Sequence, residues 1–144
     1  MEGERVVWLG RPARHVLPTE RLEERVVLIK LAVGMDDGLL RYAVEWGMRG
    51  VVLETLGGGR VPPWWLPAIR AAVGSGVVVV ITSRCPSGPV GDHYGYTGAH
   101  RDQVEAGALF ASGLTGPKAR LKLMAALGAG LETEGLRQAF AQEP

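Results

Sequence analysis

Short apolar runs alternate with amphipathic segments along most of the chain. The apolar runs predict strands over residues 26–31, 50–53, 77–81 and 108–111. Apolar positions at helical spacing predict helices over residues 38–46, 63–73, 99–105, 117–127 and 133–141. Near-continuous apolar strands joined by helix-sized connections are typical of a parallel sheet covered on both faces. The pattern therefore predicts an α/β fold, a small doubly wound (Rossmann-like) four-stranded parallel sheet with helices on both faces.

The N-terminal part of the chain does not continue this pattern. Residues 6–9 and 14–17 are predicted to form a short strand and a return strand, which are too small to hold a core of their own. Residues 19–24 form a polar linker. We therefore expect residues 1–24 to be a tail or linker and residues 25–144 to be the α/β domain.

Two tryptophans, Trp64 and Trp65, are adjacent in the second predicted helix. A helix cannot bury two neighbouring side chains equally against the same sheet. One tryptophan is therefore expected either to lie under a partner domain or subunit, where this residue type is enriched, or to pack at the edge of the sheet.

Two polar loops follow neighbouring strands at what should be the same edge of the sheet. One runs from Glu54 through three consecutive glycines to Arg60, and the other is Thr82-Ser83-Arg84-Cys85. Ligands of open parallel sheets bind at this edge, and glycines let the backbone approach them closely. Hydroxyls, a carboxylate, arginines and backbone N–H groups together suit a zwitterion such as an amino acid. The alternative is that the glycines form a plain turn and that Thr82 and Ser83 only bond to nearby backbone.

Charge and composition exclude several classes of partner. Lysine plus arginine (16) nearly equals aspartate plus glutamate (15), which leaves a net charge of +1. The chain lacks the basic stripe interleaved with aromatic residues that is typical of nucleic-acid-binding proteins. No apolar run is long enough to span a membrane. The single cysteine, Cys85, excludes an internal disulfide and is typical of a reducing compartment, so a cytoplasmic location is expected.

The chain also lacks the usual signatures of cofactor and metal sites. Pro62 stands where a dinucleotide fingerprint needs its third glycine, and no Gly-Lys-Ser/Thr segment is present. The residues that could ligate a metal are Cys85, Asp92, His93 and His100. Their spacing matches no zinc pattern. We therefore expect no cofactor and no metal.

Several motifs occur together in a recognisable order and spacing. They are residues 26–34, residues 50–53 with Gly57-Gly58-Gly59-Arg60-Val61-Pro62, residues 78–88, Tyr96-Thr97-Gly98, Thr115-Gly116-Pro117-Lys118-Ala119 and residues 121–128. Over residues 26–141 the sequence resembles the C-terminal domain of bacterial and archaeal L-asparaginases. The cytoplasmic (type I) branch is the more similar one, because it shares the Cys-x-x-Gly pattern after the third strand.

This resemblance implies a role in the hydrolysis of L-asparagine to L-aspartate and ammonia. The family's catalytic threonine and lysine motifs belong to a larger N-terminal domain, and none of them occurs here. The resemblance therefore implies no catalytic residue in this chain, an N-terminal catalytic domain as partner, and residues 1–24 as the tail of that domain. The isolated chain is expected to be inactive.

The resemblance further implies a homodimer or higher homo-oligomer and a share in a substrate or effector site for a small amino acid. The candidate binding residues are Glu54, Thr55, Gly58, Arg60, Thr82, Ser83 and Cys85. Two positions depart from the family pattern. Arg60 replaces the asparagine usual in the glycine loop, and Glu54 replaces the effector-binding arginine of the cytoplasmic branch.

Two other functions remain open on sequence grounds. The asparaginase-like subunit of an archaeal-type tRNA-dependent amidotransferase has a similar C-terminal domain, although the chain lacks the basic surface expected for tRNA. The chain is also of a suitable size for a free-standing module that binds a small ligand.

Overall fold

The computed structural model describes residues 16–88, 90–91, 95–111 and 113–141. The strands are β1 Val26–Lys30, β2 Gly50–Thr55, β3 Val78–Ser83 and β4 Leu109–Phe110. The helices are α1 Gly38–Glu45, α2 Leu66–Gly74, α3 His100–Glu105, α4 Gly116–Gly128 and α5 Thr133–Phe140, with a 3₁₀ turn at Pro63–Trp65. The strand predicted over residues 6–9 and the first half of the one predicted over 14–17 lie outside the described residues, and residues 16 and 17 are described but belong to no strand.

The four strands form one parallel sheet in the order β1-β2-β3-β4. Right-handed crossovers between sequential neighbours place their connecting helices on one face of the sheet. Accordingly, α1 and α2 pack with one buried cluster, whereas α4 and α5 pack with the other. The predicted α/β class, with four parallel strands and helices on both faces, is confirmed.

Alternating side chains of the strands divide between the two cores. Val51 and Leu53 lie in the cluster under α1 and α2, and Val52 lies in the cluster under α4 and α5. Gly50 lets α4 approach the sheet closely, because a Cβ at this position would lie 2.8 Å from Leu123. No helix of the described residues has the length and apolarity needed to cross a bilayer.

The segment that enters β1 runs along α4. The N–H of Glu23 donates to the carbonyl of Met124 at 3.0 Å, and the backbone at Arg21 passes so close to Gly128 that a Cβ there would overlap the Arg21 carbonyl. Leu17 packs against the same core. Part of the predicted linker is thus held against the domain.

Strands β2 and β3 each run two residues beyond their predicted ends, to Thr55 and Ser83. The predicted boundaries are wrong because the apolar pattern ends at Leu53 and Ile81 and the polar residues that follow are typical of loops. Glu54, Thr55 and Thr82 are instead buried and keep the strand pairing. Their side chains find hydrogen-bond partners inside the fold, so burial leaves their polar groups satisfied.

The tryptophan pair separates as expected. Trp65 is fully buried, whereas Trp64 remains 56% exposed. Both indole N–H groups donate to the carbonyl of Met35 at 3.2 Å. These two hydrogen bonds therefore join the loop between β1 and α1 to the 3₁₀ turn that precedes α2.

Candidate functional site

The carboxyl ends of all four strands meet at one edge of the sheet, because the strands are parallel. Thr55 and Ser83, the last residues of β2 and β3, are partners in the ladder. Glu54 pairs with Lys30 on one side and with Thr82 on the other. The two loops singled out from the sequence therefore lie side by side.

The glycine loop is a closed turn. Leu56 and Arg60 form an isolated antiparallel bridge, with N–H to carbonyl distances of 3.0 and 2.9 Å. Gly57 and Gly59 have φ angles of +50° and +94°, in the left-handed region that other residues rarely adopt. The shape of the turn therefore favours glycine at positions 57 and 59.

Hydrogen bonds fix the turn from three directions. Each of its three glycine carbonyls accepts a hydrogen bond from a different part of the chain. The donors to Gly57, Gly58 and Gly59 are, in that order, the hydroxyl of Ser83, the N–H of Gly91 at 3.2 Å and the side-chain amide of Gln103 at 2.7 Å. Within the described residues, the N–H groups of Gly57 and Gly58 donate to no acceptor. The turn thus keeps its carbonyls engaged and leaves two donors for an anionic group.

Arg60 places a positive charge beside this turn. Its guanidinium carbon lies 5.5 Å from the centre of the Tyr96 ring, a cation–π contact. The contact with Tyr96 and the backbone bridge to Leu56 fix the half-buried Arg60 at the end of the glycine turn. Both features favour a carboxylate as ligand.

Glu54 and Thr82 face the opposite side of the sheet, towards α4. The Glu54 carboxylate accepts the N–H of Gly116, the first residue of α4, at 3.0 Å, and its other oxygen lies 3.4 Å from Nζ of Lys30. The Thr82 hydroxyl donates to the carbonyl of Leu114. These two candidate residues therefore hold the connection into α4.

Thr55, Ser83 and Cys85 lie close to one another at the edge. The buried Thr55 hydroxyl donates to the carbonyl of Thr82 at 3.0 Å, and the Ser83 hydroxyl accepts the N–H of Cys85 at 3.0 Å. The Cys85 thiol is exposed. The hydroxyls thus bond to nearby backbone, as the hypothesis without a ligand expects. Their contact with a ligand stays a prediction.

The possible metal ligands do not form a cluster where the structure describes them. No group of three His, Cys, Asp or Glu residues suited to a metal is found over the described residues. The His100 ring instead packs against Phe110, with 4.1 Å between ring centres. Asp92 and His93 lie outside the described residues.

Gln103 was missed by sequence reasoning, yet it joins two loops of the edge. Its side chain is fully buried and its amide nitrogen donates to the carbonyls of Gly59 and Gly98, at 2.7 and 3.0 Å. Its oxygen has no hydrogen-bond partner over the described residues. Helical spacing could have indicated that Gln103 is buried, because it lies on the same face of α3 as the buried Ala99 and Ala106.

We expect Gln103→Met to destabilise the domain by about 2 kcal/mol. Methionine nearly conserves the volume but removes both amide hydrogen bonds, and the relief of the unpaired oxygen offsets part of that loss. Urea unfolding followed by circular dichroism measures the change. Gln138→Met is the matched control, because Gln138 is exposed on α5, and it should change stability by less than about 0.5 kcal/mol. Equal losses in the two variants would contradict the role given to Gln103.

Comparison with known protein families identifies most of the chain. The family model of the glutaminase/asparaginase C-terminal domain matches residues 25–140. A probable L-asparaginase of Deinococcus radiodurans is 37% identical over 143 residues, covering 97% of this chain and 42% of the relative. A glutamyl-tRNA(Gln) amidotransferase subunit of Pyrococcus furiosus is 37% identical over 120 residues, covering 83% of this chain and 26% of the relative.

A solved structure gives the same picture. L-asparaginase I from Vibrio cholerae superposes with a TM-score of 0.73 at 25% identity, over 90% of this chain and 38% of that protein. The chain thus spans less than half the length of these three proteins.

Proposed function

The chain belongs to the glutaminase/asparaginase C-terminal domain family, and from this we propose that it serves as the C-terminal domain of a cytoplasmic L-asparaginase. In this role it contributes dimer contacts and one wall of a site for a small amino acid. The reaction is the hydrolysis of L-asparagine to L-aspartate and ammonia, and the nucleophile comes from the N-terminal catalytic domain. The matches to a probable L-asparaginase of Deinococcus radiodurans and to L-asparaginase I of Vibrio cholerae support the assignment.

The observation that carries the proposed site is the polarity of the glycine turn. With its carbonyls engaged, the turn offers the N–H groups of Gly57 and Gly58, and Arg60 adds a positive charge. An α-carboxylate fits this set of donors. Ser83 and Cys85 lie at the same edge, and the buried Thr55 pairs with Ser83 in the sheet. Glu54 and Thr82 position α4.

A chimera tests the proposal. Residues 25–140 of this chain replace the matching segment of the Deinococcus relative. We expect this chimera to release ammonia from L-asparagine, and the 144-residue chain alone to release none, because it supplies no activated nucleophile. A folded but inactive chimera, or turnover by the chain alone, would contradict the proposal.

The turn can be tested through the ligand. L-Asparagine methyl ester lacks the anionic α-carboxylate, so its KM with the chimera should exceed that of L-asparagine by about tenfold or more. A KM within about twofold of the L-asparagine value would remove the carboxylate-binding role of the turn while leaving the family role intact.

A second candidate is the role of the corresponding subunit in a glutamyl-tRNA(Gln) amidotransferase, because a relative of that kind matches at the same identity as the Deinococcus asparaginase. The same 25–140 segment placed in the Pyrococcus relative separates the two roles. We expect the asparaginase chimera to be active and the amidotransferase chimera to fail in amide transfer. Calorimetry of the chain with L-aspartate and L-asparagine tests a third role as a free-standing binding module.

A further inference from the structure

A groove opens at the end of the sheet opposite the candidate site, where β3 and β4 begin. Its walls are apolar and include Val73, Val78, Leu109 and Leu136. The polar side chains that line it are those of Thr133 and Arg137, both on α5. The volume of the groove is about 120 Å³. We call it the amino-edge groove.

Unequal strand lengths and two glycines leave this space open. β4 pairs with β3 only from Val80 onward, so Val78 has no partner in β4. Gly76 and Gly107 line the groove without a side chain, and no described atom lies within 4 Å of the place that a Cβ of Gly76 would take. Both glycines have positive φ angles, of +82° and +88°. The groove therefore follows from the turns that lead into β3 and β4.

Arg137 brings to the groove a positive charge that no described residue neutralises. Over the described residues, its guanidinium takes part in no ion pair or hydrogen bond, and the Thr133 hydroxyl also has no partner there. The two residues are four positions apart on α5, so their side chains share one face of the helix. Glu134 lies on a neighbouring face, where it accepts a hydrogen bond from Gln138 at 3.3 Å. The groove thus joins apolar walls to a cation and a hydroxyl.

We propose that the amino-edge groove binds a small organic anion with a branched apolar tail, whose carboxylate pairs with Arg137. Small-molecule sites are mostly apolar, with a few polar groups that orient the ligand, and a guanidinium with a neighbouring hydroxyl suits a carboxylate. A cavity of about 150 Å³ holds a benzene molecule. The groove, at about 120 Å³, therefore has room for a tail of about four carbon atoms.

This site is separate from the glycine turn, which lies at the opposite end of the sheet. The inference therefore goes beyond the proposed function and does not depend on it. Because its ligand and its residues differ from those of the glycine turn, the two sites can be measured independently on the same chain.

A titration of the full chain with isovalerate, followed by NMR of the backbone amides, tests the inference. We expect the amide signals of Gly76 and Gly107 to shift and to saturate with a dissociation constant of about 1 to 10 mM. Acetate has the carboxylate without the tail, and 3-methyl-1-butanol has the tail without the charge. Each should bind at least about tenfold more weakly than isovalerate.

A substitution tests the role of the charge. Arg137→Gln keeps a side chain that can donate hydrogen bonds but removes the cation, so the dissociation constant for isovalerate should rise about tenfold. Arg101→Gln is the matched control. Arg101 is exposed like Arg137, but it lies in the first turn of α3, whose other end leads to Gly107. Its replacement should change the constant by less than about twofold.

Three results would each overturn the inference. The first is the absence of saturable shifts at Gly76 and Gly107 with isovalerate up to about 50 mM. The second is an affinity for isovalerate that equals that for acetate or that Arg137→Gln leaves unchanged. The third is a set of shifts confined to Gly57 and Gly58, which would place the anion at the candidate site instead.

Discussion

Replacing Gly98 by alanine is expected to destabilise the domain by about 4 kcal/mol. Gly98 has a φ of +95°, and a Cβ there would overlap the carbonyl oxygen of Val61. To make room, the two backbone segments must separate. The hydrogen bond from Val61 N–H to the Gly98 carbonyl, at 3.2 Å, is then lost, and the Gln103 bond to the same carbonyl is weakened.

Gly88→Ala separates the backbone strain from the clash. Gly88 has a similar φ of +101°, but among the residues that the structure describes no atom lies within 4 Å of the place that a Cβ would take there. This variant should lose only the conformational cost of about 1–2 kcal/mol. Urea midpoints of the two variants, measured with the same unfolding slope, give the comparison. If both variants lost the same free energy, the close approach of Gly98 to Val61 would not be the cause.

The sheet could be predicted from the sequence because its strands carry continuous apolar runs. Residues 77–81 are all β-branched, and helix-sized connections left parallel pairing as the simple arrangement. The ends of β2 and β3 could not be placed, since Glu54 and Thr82 are polar residues that become buried through partners far along the chain. Glu54 bonds to Gly116, 62 residues away, and Thr82 to Leu114, 32 residues away.

The location of the candidate site was predictable, but its internal support was not. Strand order places the two loops at one edge, and this follows from a general property of parallel sheets. Gln103 lies in a polar helix and reads as a solvated residue. Its partners, Gly59 and Gly98, come from two separate loops. Only the folded chain brings these three residues together.

The support of the glycine turn has a consequence for binding. Ser83, Gly91 and Gln103 hold its carbonyls without any ligand. In the proposed site, the N–H groups of Gly57 and Gly58 are therefore already in place, and the expected ligand would not have to order the loop. Such preorganisation raises affinity by reducing the entropy lost on association.

Replacing Glu54 by alanine is expected to destabilise the domain by about 3 kcal/mol. The change leaves the buried N–H of Gly116 without its acceptor and removes a negative charge from the start of α4, where the helix dipole favours one. Glu54→Gln keeps an oxygen for Gly116 and should lose only about 1 kcal/mol. Thermal and urea unfolding of both variants measure the difference.

The ion pair with Lys30 contributes little to this effect. The Lys30 side chain is 65% exposed, so Lys30→Ala should change the free energy of unfolding by less than about 1 kcal/mol. If Lys30→Ala or Glu54→Gln were as damaging as Glu54→Ala, the charge pair rather than the hold on α4 would explain the loss. The three variants therefore show how much of the stability that Glu54 contributes comes from its bond to Gly116 and how much from its ion pair with Lys30.

The same series separates a structural role for Glu54 from a ligand-binding one. One carboxylate oxygen accepts Gly116 N–H and the other lies beside Lys30, so an ammonium group would have to compete with both partners for a buried carboxylate. The Glu54→Gln chimera should therefore keep a KM for L-asparagine within about threefold of the parent chimera. A rise of about tenfold or more, with stability nearly unchanged, would show that the carboxylate pairs with the substrate's ammonium group. The substituted glutamine would still hold α4 in that case, so the loss of affinity could not be attributed to a displaced helix.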